Sequence, residues 1–201
     1  MNQPPRPYPV ERGLIERDDC ILLVIDLQDG FLAKLDEGRA ARCLERVRFL
    51  VEVANRLEVP LFVTVEDPAR NGWTTAPVSA LFDQDLVQHG KRVFSLCGQP
   101  DLAAAMLRQR RRTAVLIGLE TDVCILHSAV GLGALGFRAV IVSDATAAPG
   151  EEHALGLARA AALGAELIHA KGLFYEWTRS LDGLAALKAG SPIAPPAGSL
   201  L

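Results

Sequence analysis

The feature that most constrains this chain is a series of short apolar runs in which apolar and polar residues do not alternate. Residues 20–25, CILLVI, are apolar throughout and stop at Asp26. Residues 61–65, LFVTV, and 113–117, TAVLI, repeat the pattern, and 137–143, FRAVIVS, ends before Asp144. Runs of this length are buried on both faces when they are strands, and that is how parallel sheets are covered. Segments of helical period lie between them. In 39–58 the residues Leu44, Val47, Val51, Ala54 and Leu57 recur at steps of three and four, which is one face of a helix, and Pro60 follows its end.

The same reading expects helices over 79–88, 101–109, 151–163 and 174–187, and one that begins at Cys124 and is closed by Gly136. It expects short strands over 91–96 and 166–169, and a turn-rich loop over 66–78. Strands alternating with helices predict an α/β fold: a three-layer, doubly wound, mostly parallel six-stranded sheet in the order 3-2-1-4-5-6. At 201 residues one domain is expected. Residues 1–17 read as an irregular arm, 18–188 as the single domain, and 189–201 as a mobile Pro/Gly-rich tail.

Composition excludes several partners. A net charge of −3 gives no electrostatic case for nucleic acid or an anionic membrane. The basic cluster Arg108 and Arg110 to Arg112 falls where a helix should end, which suits cations. No run of about 18 apolar residues is present to span a bilayer, and the first residues lack the apolar centre of a secretory signal. The four cysteines are unevenly spaced with no CxxC pair, which predicts a reduced, cytoplasmic protein in which most of them are inert core residues.

In the 3-2-1-4-5-6 order the first and fourth strands are neighbours at the switch point, and ligands bind beyond the carboxyl ends of such strands. The first run ends at Asp26; the fourth ends just before a turn that carries Cys124. Taken singly these residues have plain structural readings: Asp26 as a cap, Lys91 as a surface lysine, Trp73 as a loop anchor and Cys124 as a core cysteine. Together they make a workable acyl-transfer set. Only a thiolate attacks well, and a helix amino end favours it. A lysine about 4 Å away adds roughly 4 kcal/mol at an effective dielectric near 20, before desolvation opposes it. An aspartate beside the thiol serves as the group that takes its proton and later delivers one to a leaving amine.

Three stretches, ILLVIDLQDGF, GKRVFSL and GLETDVCILHSAVGLGALGFRAVIVSDATAA, resemble the signature regions of the isochorismatase-like cysteine hydrolases. That superfamily includes nicotinamidases and N-carbamoylsarcosine amidase, and the resemblance covers roughly residues 18–181. It implies a catalytic Asp26, Lys91 and Cys124, and a non-proline cis peptide at Leu119–Glu120. The backbone N–H groups of Glu120 and Cys124 would then form the oxyanion hole, with Phe31 lining the substrate pocket. Trp73, as a possible wall, and Val123 are assigned to substrate binding alongside it.

Nicotinamidases bind a metal through an aspartate and histidines after the second strand. This chain offers Glu66 and Asp67 there but no histidine, so no metal and no other cofactor is expected. Isochorismatases that cleave a vinyl ether commonly lack the cysteine, and Asp122 stands where such members often carry histidine. The implied activity is hydrolysis of an amide or other C–N bond in a small molecule, by a homo-oligomer of two or four subunits. Vinyl-ether hydrolysis and a non-catalytic binding or assembly role stay open as alternatives.

Overall fold

Six parallel strands form one sheet in the order β3-β2-β1-β4-β5-β6. They are β1 (Cys20–Ile25), β2 (Leu61–Glu66), β3 (Gln88–Lys91), β4 (Thr113–Leu119), β5 (Arg138–Ala147) and β6 (Glu166–Ile168). The helices are α1 (Asp29–Leu32), α2 (Glu37–Arg56), α3 (Pro68–Asn71), α4 (Ala76–Ser79), α5 (Pro100–Arg108), α6 (Leu126–Ala134), α7 (Glu152–Ala162), α8 (Ala170–Thr178) and α9 (Leu181–Lys188). The structure, a computed structural model, describes residues 13–189 and 193–197. Among these no helix is long and apolar enough to cross a membrane.

The unbroken apolar character of β1 follows from its place at the centre of the sheet. Cys20, Leu22 and Val24 point into the layer that holds α2 and α8, whereas Ile21, Leu23 and Ile25 point into the layer of α5, α6 and α7. Every residue of the strand is buried, so no position can be polar without an internal partner. β1 and β4 also approach unusually closely. Gly118 has φ +119°, and a Cβ there would lie 2.0 Å from the Ile25 carbonyl oxygen. Only glycine fits that contact, and the β4–β5 register shifts between Leu116 and Gly118.

Several boundaries differ from the sequence expectation. Lys91 ends β3 rather than beginning a strand over 91–96, because its register places it opposite Glu66, the last residue of β2. The chain then turns, and the Leu96 N–H donates to the buried Ser128 hydroxyl of α6. Past Ser79, the last residue of α4, no helix forms up to 88. Pro77 starts a single helical turn earlier, and the residues that follow make isolated turns around Asp83. The segment 174–187 is two helices, broken where Arg179 takes φ +62° and the Ser180 hydroxyl caps α9. Asp144 lies inside β5, accepts the Ala170 N–H and pairs with Arg46.

Two terminal pieces are better anchored than their composition implies. Ile15 is buried, and its N–H donates to the Glu176 carboxylate at 2.6 Å. In the tail, Ile193 packs on the α2 layer and the Ala197 N–H donates to Glu45. The rest of the expected arm and tail, residues 1–12, 190–192 and 198–201, lies outside the described residues.

Candidate active site

At the carboxyl edge of the sheet the chain buries charge. Asp26 directly follows β1 and takes φ +49°, a left-handed conformation that an aspartate tolerates better than most residues. Its N–H donates to the Thr64 carbonyl, and the Thr64 hydroxyl donates to its carboxylate at 3.0 Å. Lys91 reaches across from β3 and brings its ammonium to 2.6 Å from Asp26, with neither side chain exposed at all. The same ammonium donates to the Val93 carbonyl at 2.9 Å and to the Cys124 sulfur at 3.5 Å.

Cys124 arrives from the other side of β1. The Leu119–Glu120 peptide bond that precedes its turn is cis. Residues Thr121–Ile125 then form a π-helical turn that runs into α6, so Cys124 lies inside a wide turn rather than at the first residue of the helix. The Glu120 carbonyl accepts from both Val123 and Ile125, and the Thr121 hydroxyl is hydrogen-bonded to His153 Nδ1 at 2.8 Å. Burial holds His153 below the usual histidine range, with Arg39 adding to the shift.

Desolvation dominates the electrostatics. Burial pushes the Asp26 carboxyl up, against the pull of Lys91. Burial would lower the Lys91 ammonium, but Asp26 and the thiol outweigh it and hold it above its ordinary value. The Cys124 thiol is raised, first by burial and then by Asp26, with Lys91 opposing. Burial therefore favours the protonated form of the Cys124 thiol. The attraction of a nearby lysine does not overcome the loss of water.

One further side chain joins this group. Glu66, at the end of β2, brings Oε2 to 3.5 Å from the Cys124 sulfur, where it accepts from the thiol, and to 3.8 Å from the Lys91 ammonium. Buried Gln28 holds its backbone: Oε1 accepts the Glu66 N–H at 2.8 Å and Nε2 donates to the Glu66 carbonyl at 3.0 Å. Sequence reasoning weighed Glu66 only as a would-be metal ligand and missed both Gln28 and Thr64. The signal was present: the rule that ligands meet strand carboxyl ends applies to β2 as much as to β1 and β4.

Of the residues assigned to substrate binding, Phe31 is half-buried in α1, with the Lys34 ammonium 4.4 Å from its ring centre. Val123 is half-buried beside Cys124 and packs with the α6 layer. Trp73 is 58% exposed, in a loop tied down through Thr74 and Gly72 to Gln28. Asp26, Glu66 and Cys124 place ligand-type atoms within 4.8 Å of one another. Lys91, at 2.6, 3.8 and 3.5 Å from them, already supplies the cation this set surrounds, so the donors do not fit a metal ion as well.

The Isochorismatase domain family model matches residues 20–171, most of the chain. The chain belongs to the isochorismatase family. Isochorismatase domain-containing protein 2 of Bos taurus is 31% identical over 167 residues, covering 82% of this chain and 78% of that protein. The YcaC gene product of Escherichia coli, described as an octameric hydrolase of unknown specificity, superposes with a TM-score of 0.78 at 21% identity, covering 92% of this chain and 91% of that one. Nicotinamidase PncA of Bacillus subtilis superposes with a TM-score of 0.64 at 20% identity, covering 75% and 99%. In this chain the carboxyl edge with Asp26, Lys91 and Cys124 is where the fold buries charge beside a thiol.

Proposed function

We propose that this family member is a cysteine-dependent hydrolase that cleaves an amide or related C–N bond of a small molecule. The observation that carries the reading is the Cys124 sulfur 3.5 Å from an ammonium that is itself 2.6 Å from a fully buried carboxylate. A buried charged pair contributes little to stability, and such pairs concentrate at functional sites; here it borders the one thiol that has polar partners on several sides.

Asp26, whose raised pKa suits proton uptake, takes the thiol proton as the sulfur attacks the substrate carbonyl. The C–S bond forms, and the carbonyl oxygen takes the negative charge, which the N–H groups of Glu120 and Cys124 are assigned to hold. Collapse breaks the C–N bond, and Asp26 returns its proton to the departing nitrogen. Water then attacks the thioester while giving a proton to Asp26. The C–S bond breaks, the acid leaves, and the proton returns to sulfur. Lys91 stays charged throughout and offsets the negative charge that moves between Asp26 and Cys124. Phe31 and Val123 line the substrate, with Trp73 contributing from the exposed rim. The reading includes a single domain over 18–188, a cytoplasmic setting and a homo-oligomer, the last supported by the octameric relative.

A screen of amides, carbamoyl compounds and nicotinamide against wild type and Cys124→Ala tests the reading. Turnover that disappears in Cys124→Ala while the circular dichroism spectrum is kept supports it. Full activity in that variant rules out the covalent mechanism, and isochorismate turnover by it supports vinyl-ether hydrolysis instead. Light scattering on the purified chain tests the oligomer, and a monomer overturns that part.

A further inference from the structure

Three acids at this edge each hold a cation. Asp67 holds Arg92 at 3.1 Å, Glu120 holds Lys34 at 3.1 Å, and Asp26 holds Lys91 at 2.6 Å. Glu66 has only a share of Lys91, at 3.8 Å, so four carboxylates stand against three cations in the network these contacts make. Asp26 and Lys91 are sealed from solvent, whereas the Glu66 side chain is 22% exposed. Of these three charged side chains near the sulfur, Glu66 is the one that reaches solvent.

That position is built. Gln28, itself fully buried, accepts the Glu66 N–H, and both Gln28 and Asn71 donate to the Glu66 carbonyl. With its backbone held, the carboxylate stays within 3.5 Å of the Cys124 sulfur. A carbon bonded to that sulfur brings its own substituents within hydrogen-bond reach of Oε2. A carboxylate accepts hydrogen bonds and offers none when ionised.

We infer that Glu66 is a specificity-determining residue, selecting ligands with a cationic or N–H-rich group next to the reacting carbon and rejecting carboxylates. The inference rests on the hydrolase reading for the word substrate, but the selection acts on any reagent that approaches Cys124. A negative charge that only shares its cation with another carboxylate still favours one sign of ligand over the other at this distance, and replacing it with a neutral isostere removes the preference while keeping the shape.

The test is alkyl-thiolation of Cys124 by a matched pair of reagents, cationic 2-aminoethyl methanethiosulfonate and anionic 2-sulfonatoethyl methanethiosulfonate. In each, the Cys124 thiolate forms a mixed disulfide and methanesulfinate leaves. Rates are read at Cys124 by peptide mass mapping, which separates it from half-buried Cys97. The ratio of the two rates cancels any change in the intrinsic reactivity of the thiol. Wild type is expected to prefer the cationic reagent, and Glu66→Gln to lower the ratio by about tenfold, the size expected of one partly screened charge. Asp67→Asn, which alters a rim acid already matched to Arg92, is expected to leave the ratio within about twofold.

A ratio unchanged in Glu66→Gln overturns the inference, as does a sulfur that neither reagent reaches. If the ratio collapses but wild type hydrolyses no amide, the charge filter stands and the hydrolase reading falls. If amides are hydrolysed through Cys124 but the ratio does not move, the hydrolase reading stands and the filter falls.

Discussion

The two ends of the β1–β4 strand pair contain the same kinds of residue and treat them in opposite ways. At the amino end, Cys20 pairs in register with Thr113, and the charges beside it, Asp19 and Arg112, form an ion pair whose arginine is 84% exposed. At the carboxyl end, Ile25 pairs with Gly118, and the charges beyond it, Asp26 and Lys91, are fully buried next to Cys124. Burial pushes both thiols up, Cys20 to about 12. Burial alone therefore does not make a nucleophile. What differs is a buried carboxylate and a fixed cation close to the sulfur, and those are supplied by neighbouring strands rather than by the local sequence.

The sharpest way to break this comparison is to neutralise one aspartate at each end. Asp26→Asn should lower turnover of a true substrate by about 10²–10⁴, the usual worth of a positioned acid–base group, whereas Asp19→Asn should leave it unchanged. Equal effects in steady-state assays would mean that the carboxyl edge is not special.

Removing a cation separates the ends next. Lys91→Met strands a buried carboxylate, and chemical denaturation should show a loss of about 3–5 kcal/mol. Asp26 can escape that cost by taking up a proton. Its folded pKa is already raised, so its contribution is largest below the ordinary carboxylate range and is lost as pH rises through the folded value. The deficit of Lys91→Met should therefore shrink as the pH is lowered from 8 towards about 5. A deficit independent of pH would argue that the carboxyl is not what the lysine compensates.

Gly118→Ala tests why the carboxyl end is so tight. The added methyl meets the Ile25 carbonyl at 2.0 Å on a positive-φ backbone, so a loss of at least about 2 kcal/mol is expected in denaturant unfolding. Gly133→Ala, where nothing lies within 4 Å, is the control and should cost nothing by that route.

At alkaline pH the wild-type protein should be more sensitive than Lys91→Met. Lys91 is held above its ordinary value of 10.5, so its contribution is present below that pH and is lost as pH climbs through the raised value. Melting temperatures measured from pH 9 to about 12 should fall more steeply in wild type than in the variant. The smallest effect belongs to the amino end: Arg112→Ala should change stability by less than about 1 kcal/mol, since an exposed arginine gains little from its pair. A larger loss would show that the two ends are less different than their burial suggests.

Much of the architecture was legible in advance because its causes are local. CILLVI reads as a strand buried on both faces, and Leu44, Val47, Val51 and Ala54 fall on one side of a helix. Where local signals conflicted, the sequence misled. The apolar residues of 91–96 suggested a strand, but pairing with β2 ends at Lys91, and Leu96 is claimed by α6 instead. The isolated pattern over 79–88 suggested a helix, yet Pro77 had already started and ended a turn. Of the candidate site, Asp26, Lys91 and Cys124 came from strand ends and from resemblance to a family. Gln28 and Thr64 were not picked out, and Glu66 was weighed only as a metal ligand, because each is an ordinary residue until register places it.

By itself the sequence determined the layers, the strand order and the single domain expected to carry them, since hydrophobic periodicity and right-handed crossovers act over short stretches. The tertiary structure alone decided which charges share one buried space and which reach water. That outcome depends on β-register across 38 residues between Asp26 and Thr64 and 33 between Lys91 and Cys124. Electrostatic interaction and desolvation vary with distance and burial, not with position along the chain, so the raised Cys124 thiol and the cation that Glu66 shares with Asp26 belong to the fold.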